Sequence, residues 1–384
     1  MKNIQTNFQS FRNIVKGDFV YADKTESVYQ LAAKGGAYFL SRPRRFGKSL
    51  LLNTFDALFR EPASPEDAPH NLFENLWIGQ KATPAYDFTD CRPVINLSLA
   101  LPCQSPQVLN DQLARKIRRV AASYGVERDI SSPAGMLEDL IVDLKEKYQK
   151  KVILLIDEYD DPIRSNFVDN DLARANLMVL KDFYSALKPR EEDLHLVFLT
   201  GITRYALLWG SGVLNHLVDL TLSEEYANIC GFIYEEFENC FADRFPQALE
   251  TLKGKGTLEK NATISDLRKV IFDQYDGYSW DGKTRVLNPY SILNFFKSYK
   301  LFNYWADLEP SASFIEPILA KNPLAIVAEN LKNLPARKIN MLETVGSLTP
   351  IPALFQTGYL TVDKATDVRG GYLYSLKIPN EEVR

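Results

Sequence analysis

Gly47-Lys48-Ser49 ends a short basic stretch, Arg42-Pro43-Arg44-Arg45-Phe46, and runs into Leu50. Phosphate loops read GxxxxGK[ST]: backbone N–H groups wrap the phosphates, the lysine reaches the β- and γ-phosphates, and the hydroxyl binds Mg²⁺. Gly47, Lys48 and Ser49 match the second half of that pattern. Arg42 stands where the first glycine belongs, and glycine normally supplies a φ that other residues resist. Pro43 also fixes its own φ at about −65°, so the chain must enter the loop differently. The bland alternative is a basic helix start, with Ser49 as cap and Lys48 in solvent. Arg42, Arg44 and Arg45 add three cations, suited to phosphate oxygens, to an acidic partner, or to nothing beyond a solvated turn.

A second constellation sits at Asp157-Glu158, which closes the aliphatic run Val152-Ile153-Leu154-Leu155-Ile156. An aspartate at the end of a buried strand can hold Mg²⁺ beside Ser49, and the next glutamate can polarise an attacking water. Asp160 and Asp161 follow directly and read as solvated loop charges rather than a metal site of their own. Further along, Leu194 to Thr200 leads into Gly201-Ile202-Thr203-Arg204. Thr200 or Thr203 is the candidate for ordering the water, and Arg204 for touching a γ-phosphate in cis or from a neighbouring subunit.

These residues need strands and helices to position them. Ala37 to Leu40 reads as a buried strand before the loop, and Leu51, Phe55, Leu58 and Phe59 as one helix face after it. Pro93 to Leu99, Val152 to Ile156, Leu194 to Thr200 and Leu217 to Leu222 are further strands. Leu137, Leu140, Ile141 and Leu144, then Leu180, Phe183, Tyr184 and Leu187, mark helices between them. Strands alternating with helices predict an α/β fold with a parallel sheet, whose ligands sit at the carboxyl ends of the strands. Beyond about residue 230 the chain reads mainly as helices, closing on a hairpin around Arg369-Gly370-Gly371, an arrangement suited to a winged-helix-like unit.

Composition bounds the rest. A chain of 384 residues is long for one core. It is 46% hydrophobic and 24% charged with a net charge of −4, so there is no global basic footprint for nucleic acid. Lys321, Lys332, Arg337 and Lys338 leave room for a local one. Cys91, Cys103, Cys230 and Cys240 form no CxxC pair, which argues against zinc and for reduced thiols. The polar N-terminus lacks a leader's apolar core, and no apolar run approaches the ~20 residues of a membrane span. The chain reads as cytosolic, with no membrane partner.

SRPRRFGKSLLLNT, Tyr21-Ala22-Asp23-Lys24-Thr25, LLIDEYDDPI, FLTGITR, NPYSIL, FQTGYL and IPNEEV together resemble the AAA-ATPase-like domain family of bacteria and archaea. That family also lacks the first loop glycine, so the resemblance turns Arg42 from an objection into a signature. It implies a P-loop NTPase core of the additional-strand type over residues 1–228, and a helical lid over 229–320. The winged-helix-like unit would then occupy 321–384. It implies ATP and Mg²⁺ as ligands, with a homo-oligomer as one option. Longer members carry a PD-(D/E)XK nuclease-like domain just after IPNEEV; it is not expected within these residues, and no nuclease activity is carried over. Ile202 to Tyr205 and Leu207 to Gly210 depart from the family's small-residue and lysine run, which leaves Thr200 and Arg204 less defined than Lys48, Ser49, Asp157 and Glu158. The Asp23-Lys24-Thr25 element lies where base contacts often arise, although Asp23 or Thr25 also reads as a helix cap. ATP hydrolysis, a nucleotide-gated switch with little turnover, and nucleic-acid regulation all remain open, as does the choice of ATP or GTP.

Overall fold

The structure is a computed structural model. It describes residues 1–6, 10–101, 103–126, 132–166, 170–210, 213–306, 315–316, 320, 331–343 and 349–384. Five strands form one parallel sheet: β1 (Gly36–Ser41), β2 (Val94–Ser98), β3 (Val152–Asp157), β4 (Leu194–Gly201) and β5 (Val218–Asp219), in the order β2-β3-β4-β1-β5. The α/β fold with a helix-flanked parallel sheet is therefore as expected. β4 lies between the strand that enters the loop and the strand that ends in Asp157. All strands run the same way, so Ser41, Asp157 and Gly201 gather at one edge of the sheet, with Ser41 level with Gly201.

Burial explains the sheet. Val152 to Ile156 are each fully buried, as a strand covered on both faces requires. Each such side chain contributes about 1.5–3 kcal/mol when buried. The helix Lys48–Phe59 packs across β2, β3 and β4, while Pro106–Ser123 and Pro133–Tyr148 cover β2 and β3. Ser105 and Ser132 start the last two helices, their hydroxyls accepting from Val108 N at 3.2 Å and Gly135 N at 3.2 Å, with proline at the first helical position.

Two strands differ from their sequence expectation. β5 is only two residues long, Val218 and Asp219 opposite Tyr38 and Phe39, although Leu220 N–H still donates to the Phe39 carbonyl at 2.9 Å. The C-terminal hairpin, expected from Tyr359 to Val362 and from Tyr372 to Ile378, has a longer first strand: β7 (Thr361–Val368) pairs with β8 (Gly371–Lys377) up to Val368 opposite Gly371. A short β6 (Leu334–Pro335) adds to β8.

Helices Tyr234–Phe241, Phe245–Gly254, Ile264–Tyr275 and Pro289–Ser298 enclose a second core. It is rich in phenylalanine, with Phe241 stacked on Phe296 at 4.3 Å. The hairpin side, including Leu354, Val362 and Tyr374, joins the core of the parallel sheet instead. No helix among the described residues is long and apolar enough to cross a membrane.

Candidate nucleotide-binding site

Gly47 caps the helix Lys48–Phe59 with φ 97°, a left-handed value that only glycine adopts freely. That turn aims the first helical N–H groups out of the loop. Lys48 is 7% exposed, and its ammonium donates to the carbonyls of Arg42 at 2.8 Å and Pro43 at 2.9 Å. Burial lowers its pKa, opposed by the nearby Asp157 and Glu158 carboxylates. The solvated lysine of the bland alternative is therefore excluded.

Across from the loop, the Asp157 carboxylate is the meeting point. It accepts from the Ser49 hydroxyl at 2.5 Å, the Thr200 hydroxyl at 2.6 Å and the Glu158 N–H at 3.0 Å. Lys48, Ser49, Asp157 and Thr200, drawn from three separated segments, thus converge at the carboxyl edge of the sheet. Glu158 follows with φ 51°, an unusual backbone for a glutamate. Its pKa is raised, first by burial and then by Asp161 and Asp157.

A cleft of about 520 Å³ opens over Lys48, Ser49 and Glu158, whereas Asp157 and Thr200 are not among its lining residues. Thr200 is fully buried with its hydroxyl on Asp157, not placed to order a water in the cleft. Arg44 to Leu51, Glu158 and Asp161 line one part; Tyr21, Ala22, Lys24, Ile229 to Phe232 and Tyr290 line the rest. That volume suits a nucleotide-sized ligand.

Residues 5–208 match the family model described as Predicted AAA-ATPase. The chain belongs to that AAA-ATPase-like family. It is also 27% identical over 387 residues to the "Uncharacterized protein in vnfD 5'region" of Azotobacter chroococcum mcd 1. That match covers 100% of this chain and 68% of the relative. No solved structure matches.

Several residues of this AAA-ATPase-like chain sit elsewhere than the sequence suggested. Arg42 is fully buried and does not line the cleft. Its guanidinium donates to the carbonyls of Ser41 (2.9 Å), Thr221 (2.9 Å) and Tyr226 (3.2 Å) and lies 4.0 Å from the Trp280 ring. Burial pushes its pKa down to about 10. Pro43 also lies outside the cleft lining, and Phe46 enters it from a buried position against Tyr278. Arg44 faces Asp161 at 4.0 Å, and Arg45 lies 4.9 Å from the Tyr290 ring. Arg204 does not reach the cleft; it pairs with Asp219 on β5 at 3.3 Å and lies 4.2 Å from Trp209.

Asp160 is not a solvated loop charge, and Asp161 is a largely buried residue of the cleft wall, which corrects the sequence reading. Asp160 is fully buried and accepts from Ile202 N at 3.2 Å, Thr203 N at 2.8 Å and the Thr203 hydroxyl, with Arg164 at 3.6 Å. It ties the end of β3 to the end of β4, and it occupies the Thr203 hydroxyl. Asp161 pairs with Arg164 and is raised in pKa by burial.

Asp23 accepts from Thr25 N at 2.9 Å and Trp77 N at 2.7 Å, so its carboxylate ties the first residue of the helix Thr25–Lys34 to a neighbouring helix; the capping position is Lys24, not Asp23 or Thr25. Lys24, in contrast, lines the cleft and pairs with Glu236 at 2.6 Å. Burial dominates both partners, lowering the lysine and raising the glutamate. This pair and Tyr290 were not singled out as site residues; only the DKT and NPYSIL segments hinted at them.

Among the described residues there is no group of three or more His, Cys, Asp or Glu placed for a metal. Ser49 and Asp157 instead offer two hard oxygens at hydrogen-bond distance, a set that fits Mg²⁺, which keeps several waters. Of the basic residues considered for nucleic acid, Arg337 is bound by Glu343 at 2.9 Å, and Lys321 lies outside the described residues.

Proposed function

We propose that this chain binds Mg-ATP in the 520 Å³ cleft and hydrolyses it. The observation that carries the reading is the Lys48 ammonium on two loop carbonyls opposite the Ser49–Asp157–Thr200 hydrogen-bonded set. An ammonium held by neutral carbonyls gains when a phosphate oxygen replaces them, because the charged acceptor is the stronger one.

In this reading Ser49 and Asp157 hold Mg²⁺, which neutralises phosphate charge when bound. Lys48 and Arg44 add to that neutralisation, so the chain's contribution is mainly positioning and electrostatics. Glu158 polarises the attacking water, and Thr200 keeps Asp157 oriented. The helices of residues 229–320 act as a lid, since Ile229 to Phe232 and Tyr290 already border the cleft. The nucleotide state would then be passed to residues 321–384 and to an attached or partner nuclease.

Phosphate release from Mg-ATP, with Glu158→Gln beside the wild type, tests this. Loss of a general base typically costs about 10²–10⁴-fold in rate, while nucleotide binding should survive. Unchanged turnover in that variant would overturn the role of Glu158. Tight binding without release by the wild type would replace hydrolysis with a nucleotide-gated switch.

A further inference from the structure

We infer that Trp305 and Glu382 are positioning residues that hold the phosphate loop in its binding shape. This inference rests on the nucleotide-binding reading above. The loop lacks the first glycine, so Arg42-Pro43-Arg44-Arg45-Phe46 must be held in shape by something else. Each of these five residues is met from the C-terminal half of the chain. Arg42 lies 4.0 Å from the Trp280 ring, and Arg45 lies 4.9 Å from Tyr290. Phe46 packs edge-on to Tyr278 at 4.8 Å. Pro43 presses on Gly358, where a Cβ would come within 2.9 Å of the proline ring. The carbonyl of Arg44 accepts from the Trp305 indole N–H at 3.1 Å.

The last contact has the most direct consequence for a phosphate ligand. In a trans peptide the N–H points opposite to the C=O. Fixing the Arg44 carbonyl on Trp305 therefore fixes the Arg45 N–H on the side away from Trp305. Arg45 itself has φ 66°, a left-handed value that a side chain resists. Without an anchor, rotation of this peptide would relieve that strain and turn the N–H elsewhere.

Glu382 stands behind the anchor. It is 1% exposed and accepts from Trp305 N at 2.8 Å and from the Ser291 hydroxyl at 2.8 Å. Ser291 is the neighbour of Tyr290, so one carboxylate braces both the residue under Arg44 and the segment under Arg45. Glu382 is itself seated by its own N–H on Gln274 O at 3.2 Å and by Glu381 N on Asp273 O at 3.1 Å. Neither Trp305 nor Glu382 lines the cleft. The segments NPYSIL, FQTGYL and IPNEEV meet behind the loop through Tyr290, Gly358 and Glu382.

The test is the Kd of Mg-ATP for wild type, Trp305→Phe and Glu382→Gln, measured by calorimetry well below unfolding, alongside ligand-free urea midpoints. W305F removes the N–H and keeps a ring. It should bind about three- to tenfold more weakly, the affinity equivalent of one hydrogen bond. E382Q should weaken binding in the same direction, and it carries the test if W305F does not fold. Wild-type affinity in the folded variants, with only the ligand-free midpoint lowered, would make these residues packing alone and overturn the inference. A wild-type chain that binds no Mg-ATP would remove the reading beneath it and the inference as well.

Discussion

Removing the Asp160 carboxylate is a severe perturbation that substitutes no cleft-lining residue. The group is fully buried and satisfies two backbone N–H groups, of Ile202 and Thr203, and the Thr203 hydroxyl. It also pairs with Arg164, a guanidinium only 5% exposed that Asp161 pairs with as well. Asp160→Ala strands those donors and removes one carboxylate partner of Arg164, leaving Asp161. Each stranded donor costs about 1–3 kcal/mol, and breaking a buried pair costs about 3–5 kcal/mol. These effects share atoms and are not additive, so the expected loss is about 3–5 kcal/mol. Asp160→Asn keeps one acceptor and should lose about 1.5–3 kcal/mol, the scale of a charged hydrogen bond. Urea unfolding followed by circular dichroism reads both, as a shift in midpoint at constant slope. Turnover should fall too, because the tie sets the spacing of the strand ends that carry Glu158 and Thr200. An Asp160→Ala midpoint equivalent to less than about 0.5 kcal/mol, within the range of ordinary surface substitutions, would refute the buried-tie argument.

Two further outcomes follow from the same edge of the sheet. Gly201→Ala places a Cβ against the Asp160 carboxylate and 2.5 Å from the Tyr159 ring. It should destabilise by about 1–3 kcal/mol, read by thermal unfolding, with an unshifted transition as the contrary result. Glu158 has a raised pKa from burial and from Asp161 and Asp157. Its acid limb in kcat/KM should therefore lie above the ordinary glutamate range, and Asp161→Asn should move it down; a limb indifferent to that change would count against Glu158 as the base. The sign for stability is opposite to the usual carboxylate. The raised folded pKa means the favourable contribution is present below the unfolded pKa and is lost as pH rises through the folded value. Glu158→Gln should accordingly gain stability over wild type at neutral pH and none in acid, measured by urea midpoints at both.

How much of this was legible depends on distance along the chain. Lys48, Ser49, Asp157 and Thr200 were readable because strand ends in a parallel sheet must share an edge. The same rule could not say which of four neighbouring acids turns inward, and Asp160 turned out buried because Thr203 and Ile202 of the adjacent strand end supply its donors. The helix Pro106–Ser123 went unread although Leu109, Leu113 and Ile117 repeat at helical spacing. β5 is shorter than the apolar run Leu217 to Leu222 suggested, because burial of Leu217 and Leu220 fixes an apolar pattern but not the length of a strand pairing. The contacts of Arg42 to Phe46 with Trp280, Tyr290, Trp305 and Gly358 join residues hundreds of positions apart. No local periodicity encodes such pairs; the family resemblance marked the arginines without saying what they touch.

The most direct measurement is the thermal stability of wild type and Lys48→Ala with and without Mg-ATP at about 100 times the expected Kd. Binding to the folded chain alone should stabilise the wild type by about 2.7 kcal/mol, and Lys48→Ala should gain little, since its loop keeps the cleft but loses the ammonium that reaches the phosphates. A wild type that gains nothing, or a Lys48→Ala chain that gains as much, would contradict the account.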